Sequence, residues 1–177
     1  LQTRTRGLAE RVDEKEALAD AFEAVGDYYM ALRWRWRAMW SRTTEDRYHE
    51  LPPTVLRRIW PDFYRNRVIA VAREYELDPA LMWAVIRQES IFDSDATSFA
   101  DARGLMQIIP STGNALARQL GLDEFDAADL YDPGLNIRFG AHYVKQLLDQ
   151  FENKVDFMAA GYNAGPSNVS RWRRSAG

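Results

Sequence analysis

Cysteine is absent from the 177 residues. Its absence excludes disulfides, a thiolate nucleophile and thiolate zinc ligands, while leaving the compartment open. Histidine occurs only twice, as His49 and His142, each alone in its segment, so neither belongs to a metal pair and no metal centre is expected. No stretch approaches the roughly 18 consecutive apolar residues that a membrane span needs. A dominant charge is missing too. With 23 Lys+Arg against 26 Asp+Glu the net charge is −3, which gives no electrostatic footprint for duplex nucleic acid or an anionic lipid surface. A signal-peptide pattern is also lacking, and Leu1 stands in place of Met, so a processed or excised piece of a longer protein is expected.

What remains is a globular composition, 46% hydrophobic and 28% charged. At about 150 residues per domain, the length suits one domain or one domain plus an appendage. Strand signals are almost wanting. Apolar residues recur at spacings of three and four, which predicts an all-α chain of roughly seven or eight helices. Leu8, Val12, Leu18, Ala21, Phe22 and Val25 predict a first helix ending near Ala24, and Gly26-Asp27 separates it from a second over Tyr28 to Trp40. Small residues (Ala21, Ala24, Gly26, Ala31) mark the crossing of this pair, as in one hairpin of a helical repeat array. A polar break from Ser41 to Glu50 and then Pro52-Pro53 set a boundary. The expected domains are therefore 1–60, a helical appendage with its linker, and 61–177.

Within the second domain, Val68, Ile69, Val71, Ala72 and Tyr75 form a helical stripe. Asp78-Pro79 and Asp132-Pro133 each supply an N-cap followed by a proline at the first helical position. Pro110-Ser111 begins another helix, which Gly121 ends. Leu135, Phe139, Tyr143, Leu147 and Phe151 share a face, and a short helix from Val155 to Ala164 stops at Gly165-Pro166.

The sharpest anomaly is Glu89. Met82, Val85 and Ile86 define the apolar face of the helix from Pro79, and Glu89 follows three and four residues beyond the last two. That spacing puts a carboxyl group on the apolar face, at the helix end where the dipole disfavours a negative charge. Desolvation and dipole both raise its pKa, which is the profile of a general acid. A plainer alternative is an ion pair with Arg87 or Arg103, or a side chain reaching solvent from the helix end. Two short strings follow: Gly104-Leu105-Met106-Gln107, where glycine allows close backbone approach beside one amide, and Gly161-Tyr162-Asn163, with a hydroxyl and an amide. Alone, Met106 and Tyr162 read equally as core residues.

In this order the strings are specific. RQES at Arg87 to Ser90, GLMQIIPST at Gly104 to Thr112, DPGLNIRFGAHYV at Asp132 to Val144 and GYNAGPSNVSRW at Gly161 to Trp172 resemble the catalytic domain of soluble lytic transglycosylases. These are lysozyme-like enzymes related to goose-type lysozymes, and the resemblance runs from about Ala80 to Trp172. It implies an all-α, lysozyme-like catalytic domain over 61–177, preceded by helices of a superhelical region. It also implies cleavage of the β-1,4 bond between N-acetylmuramic acid and N-acetylglucosamine in peptidoglycan, leaving 1,6-anhydromuramic ends. Glu89 inherits the role of acid and then base. Tyr162 would hydrogen-bond and orient Glu89, Ser90, Met106 and Gln107 would line the sugar subsites, Asn163 would support the cleft, and Tyr143 would form a wall. The resemblance further implies no cofactor, no nucleic-acid partner, peptidoglycan glycan strands as substrate, a monomer, and a periplasmic or cell-envelope location. In that family a further helical segment with a Glu-Thr-Arg and a Tyr follows, so the domain is expected to be incomplete at its C-terminus. Two rivals stay open: a goose-type lysozyme-like hydrolase and a non-catalytic peptidoglycan-binding module.

Other signals read as structural. Arg33-Trp34-Arg35-Trp36-Arg37 is expected to pack its tryptophans, with Trp36 and Trp40 on one face, while the arginines snorkel. Asp93, Asp95 and Thr97 begin like a calcium loop, but Ser98 and Gly104 stand where its glycine and bidentate glutamate belong. His142 is expected to pack on its helix, and Asp123, Glu124, Asp126 and Asp129 to form a solvated loop.

Overall fold

The computed structural model describes residues 2–40 and 51–176. The polar break at 41–50, with His49, lies outside the described residues, as does the side chain of Leu8. The chain divides into two compact units, Leu1–Phe63 with Ile91–Asp93, and Tyr64–Ser90 with Ser94–Gly177.

The first unit is built on an antiparallel hairpin of α1 (Gln2–Ala24) and α2 (Tyr28–Trp40), followed by α3 (Pro53–Ile59). Gly26 turns the chain at φ +82°, and Asp27 starts α2 by accepting the Met30 N–H at 2.9 Å. Val12 and Ala19 are buried with Ala31, Leu32, Ala38 and Met39. The expected stripe on α1 is corrected here, because Leu18 and Val25 are 43% and 80% exposed. The inward stripe runs Val12, Glu16, Ala19, Glu23, a 4-3-4 spacing that includes two acids. Their charge is met by arginines: Arg35, only 5% exposed, pairs with Asp20 and Glu23, and Arg58 pairs with Glu16 and Asp20. Arg35 is thus buried and paired rather than snorkelling. Its neighbours Arg33 and Arg37 are exposed, the first bonded to the Tyr29 hydroxyl and the second over the Trp34 ring, and Trp36 meets Trp40 at 6.2 Å. Phe63 stacks on Tyr28 at 4.2 Å and meets Phe92 edge-on.

The second unit contains α4 (Arg65–Glu74), α5 (Pro79–Ser90), α6 (Pro110–Gln119), a 3₁₀ segment (Ala127–Tyr131), α7 (Pro133–Gln150), α8 (Val155–Ala164) and α9 (Pro166–Ala176). Helix α7 is the hub. It buries Ile137, Phe139, Ala141, Val144, Leu147 and Leu148, and α4, α6, α8 and the 3₁₀ segment all pack on it. The Asp-Pro starts form: Asp78 accepts the Ala80 N–H and Asp132 the Leu135 N–H, both at 2.8 Å. His142 bonds Gln119 at 3.2 Å and faces the Tyr75 ring.

Among the described residues there are nine α-helices and no strand, only isolated bridges from Thr97 to Arg103 and from Arg103 to Ile108. Helices α3 and α9 exceed the predicted set. Both begin on a proline that the sequence pattern reads as a stop; a proline ends the preceding helix, but at the first position it costs no hydrogen bond. The acidic run also differs from expectation. Asp126 and Asp129 cap the 3₁₀ segment reciprocally, through Ala128 N–H to Asp126 at 2.7 Å and Asp126 N–H to Asp129 at 2.8 Å. No helix among the described residues is long and apolar enough to cross a membrane.

Candidate active site

Glu89 lies in the last turn of α5, on the flank of the buried pair Met82 and Ile86. The residue is half-buried, and among the described residues no cation pairs with it. The alternative pairing with Arg103 does not occur: that guanidinium forks onto Asp101 at 2.9 and 3.1 Å. Burial pushes the Glu89 carboxyl above its ordinary value. The neighbouring Ser90 is buried, and its hydroxyl donates back to the Ile86 carbonyl at 3.2 Å.

The Gly104–Gln107 loop is closed by two backbone hydrogen bonds between Arg103 and Ile108, at 3.0 and 3.1 Å. Gly104 has φ +73°, and a Cβ there would overlap the Leu130 carbonyl and the Asn136 amide. Gln107 also takes a left-handed backbone, φ 47°, a conformation that costs an L residue on the order of 1 kcal/mol. Its side chain offsets that cost, with Nε2 donating to the carbonyls of Ala96 (3.1 Å) and Gly104 (3.0 Å). Residues alternate along the loop. Met106 and Ile108 point inward, 0% and 2% exposed, while Gln107 is half-buried and Ile109 is 43% exposed.

Met106 therefore offers no side chain to a ligand, which corrects the expectation that it lines a sugar subsite. Its sulfur occupies a notch left by Gly140, where a Cβ would overlap it. Its backbone is held at both ends. Asn136 Oδ1 accepts the Met106 N–H at 2.7 Å, and the Tyr162 hydroxyl donates to the Met106 carbonyl at 2.7 Å. Asn136, 0% exposed, also donates from Nδ2 to Arg103 (2.9 Å) and Leu130 (2.7 Å) carbonyls.

Tyr162, on α8, is half-buried. Burial first, then the charges of Glu89 and Tyr143, hold that phenol well above its usual range. The expected hydrogen bond from Tyr162 to Glu89 is replaced by the one to Met106, so Tyr162 adjoins Glu89 electrostatically while its proton goes elsewhere. Tyr143 of α7 meets the Tyr162 ring at 5.2 Å, and its own phenol is raised by burial. Asn163 is exposed. The structure thus gathers Glu89, Tyr162, Tyr143 and the Met106 backbone, with Gln107 on the same loop.

Two residues escaped the sequence reading. Asn136 shares a helical stripe with Gly140, Tyr143 and Leu147, so a polar residue on a buried face was a readable signal. Ile109 gave none, because inward and outward positions in a turn are set by contacts distant in sequence.

The family model described as the transglycosylase SLT domain matches residues 66–177, more than half of the chain. The chain belongs to the transglycosylase SLT domain family. The chain is similar to the soluble lytic murein transglycosylase of Escherichia coli K12, 35% identical over 98 residues, covering 55% of this chain and 15% of the relative. Two solved structures each cover 91% of this chain and 24% of the other. They are an inactive mutant of the lytic transglycosylase Slt from Pseudomonas aeruginosa (32% identity, TM-score 0.74) and the 70 kDa soluble lytic transglycosylase of E. coli (25% identity, TM-score 0.76). The chain spans between 15% and 24% of the length of these relatives.

Proposed function

We propose that this SLT domain is a peptidoglycan lytic transglycosylase, with Glu89 as its acid and base. The observation that carries the reading is a half-buried carboxyl group raised by burial, with no cation paired to it among the described residues, in electrostatic reach of the Tyr162 phenol. The mutation named for the Pseudomonas relative, an inactive enzyme in which glutamine replaces a glutamate, supports an indispensable carboxyl group.

Protonated Glu89 gives its proton to the β-1,4 oxygen between N-acetylmuramic acid and N-acetylglucosamine, and the C1–O bond breaks. The N-acetylglucosamine side leaves as an alcohol. The muramic N-acetyl group, or an oxocarbenium-like state, carries the positive charge at C1. The Glu89 carboxylate then takes the proton of the muramic C6 hydroxyl, whose oxygen bonds to C1 and closes the 1,6-anhydro ring. No water is consumed, and Glu89 regains its proton. A single carboxyl group thereby serves where glycoside hydrolysis ordinarily employs two. Gln107, Ser90, Tyr143 and Asn163 serve as subsite and cleft residues in this reading, with peptidoglycan on the outer side of the cytoplasmic membrane as substrate. The enzyme acts as a monomer, and residues 1–60 form the end of a superhelical region.

Mass spectrometry of digested peptidoglycan tests the proposal. Anhydromuramic products are expected, and Glu89→Gln abolishes them with the fold intact. Reducing-end products would instead make the protein a hydrolase, and no products from the wild type would make it a binding module.

A further inference from the structure

We infer that Asn136 is a positioning residue for the Glu89 reaction, acting through Met106 to direct the Tyr162 proton away from the Glu89 carboxyl group. The inference rests on the transglycosylase reading but is carried by a separate set of contacts. Asn136 is 0% exposed on an otherwise apolar helix face. A buried amide there is costly unless its hydrogen bonds are made, and three are, all to backbone groups of the loop and the 3₁₀ segment. The site needs one acceptor and two donors converging at one point. An Asp would set oxygen against two carbonyls, and a Leu would leave three backbone groups unpaired.

Met106 is consequently gripped by α7 twice, one turn apart: its N–H by Asn136 and its sulfur by the Gly140 notch. Both grips come from one rigid element, so the Met106 carbonyl has one place to be. Tyr162 donates its proton to that carbonyl. A phenol that donated to Glu89 would stabilise the carboxylate and weaken the acid. With its proton committed to Met106, Tyr162 feels the charge of Glu89 without donating a hydrogen bond to it. The titratable groups coupled to Tyr162 are Glu89 and Tyr143.

The test is a ¹³C NMR titration of the Glu89 carboxyl, assigned through Glu89→Gln, in wild type, Asn136→Ala, Tyr162→Phe and the Asn136→Ala/Tyr162→Phe double variant. Asn136→Ala is expected to lower the Glu89 midpoint toward the ordinary carboxylate range, because Tyr162 becomes free to donate to it. In the Tyr162→Phe background the same change shifts nothing further. On glycan strands Asn136→Ala lowers kcat by about ten- to a hundredfold, since small misplacements of a catalytic group cost that much, while KM stays near the wild-type value. A folded Asn136→Ala protein with an unchanged midpoint, or an equal shift with and without the Tyr162 hydroxyl, overturns the inference. If Asn136→Ala does not fold, Gly140→Ala displaces Met106 without touching a polar group, and the same two outcomes decide. Cleavage retained by Glu89→Gln would refute the transglycosylase reading and leave these midpoints to stand on their own.

Discussion

Removing one oxygen atom from Tyr162 isolates the hydrogen bond on which the site is anchored. In Tyr162→Phe the ring keeps its contact with Tyr143, so no cavity larger than the lost hydroxyl opens. The change is confined to the donor at 2.7 Å from the Met106 carbonyl, in a residue that is 0% exposed. A neutral hydrogen bond nets about 1 kcal/mol, and an acceptor left buried adds its desolvation, so a loss of about 1–2 kcal/mol is expected. In a chain of this size that is roughly 2–8 °C in Tm. The pH dependence has a definite sign. The folded phenol is raised above its unfolded value, so its contribution is fully present below the unfolded pKa near 10 and is lost as pH rises through the folded value. Urea unfolding followed by far-UV circular dichroism, at neutral and alkaline pH, measures the difference, with an unchanged m-value as the control. Stabilities equal within about 0.3 kcal/mol near neutrality, below the usual net worth of such a bond, would refute the anchoring. A gap that widened on the alkaline side would do the same.

Glu89→Gln should be more stable than wild type at neutral pH, because a carboxyl raised by burial costs stability wherever it is ionised; the gap closes as pH falls below about 4.3, the unfolded value. Thermal unfolding at the two pH values checks this, and a gap independent of pH would contradict it. Gly104→Ala places a Cβ against the Leu130 carbonyl and the Asn136 amide at a left-handed φ, and a loss above about 3 kcal/mol is expected; soluble protein with a wild-type Tm would show that the loop yields. Asp132→Ala removes the cap on the Leu135 N–H and should cost about 1 kcal/mol, with Asp132→Asn nearly neutral; denaturant midpoints of the two variants, if equal, would count against the cap.

Helix starts were legible because their chemistry is local: an aspartate and the proline after it suffice to place α5 and α7. The Glu89 anomaly was legible for the same reason, since three- and four-residue spacing projects directly onto a helix face. Proline misled at α3 and α9, where a residue that reads as a stop stands at the first position of a helix. In α9 Val169 is the buried apolar residue, and the helix is otherwise so polar that it offers few apolar residues from which a stripe could be read. Loop 104–109 was the least legible part of the site. Its alternation of inward Met106 and outward Ile109 depends on Asn136, Gly140 and Tyr162, some 30 to 56 residues away. Spacing along the chain carries no record of such contacts.

Gln107 spends both protons of its amide on the carbonyls of Ala96 and Gly104. What it has left for a visitor is the lone pairs of Oε1. A group meeting it must bring its own proton, as a sugar hydroxyl or an acetamido N–H does. A ring position blocked by an ether, or one that presents only a carbonyl, finds no complement there. On the proposed reading of Gln107 as a subsite residue, selection among glycans there works by proton supply, and methylating a single hydroxyl of a substrate should register where altering the bulk of a distant substituent does not.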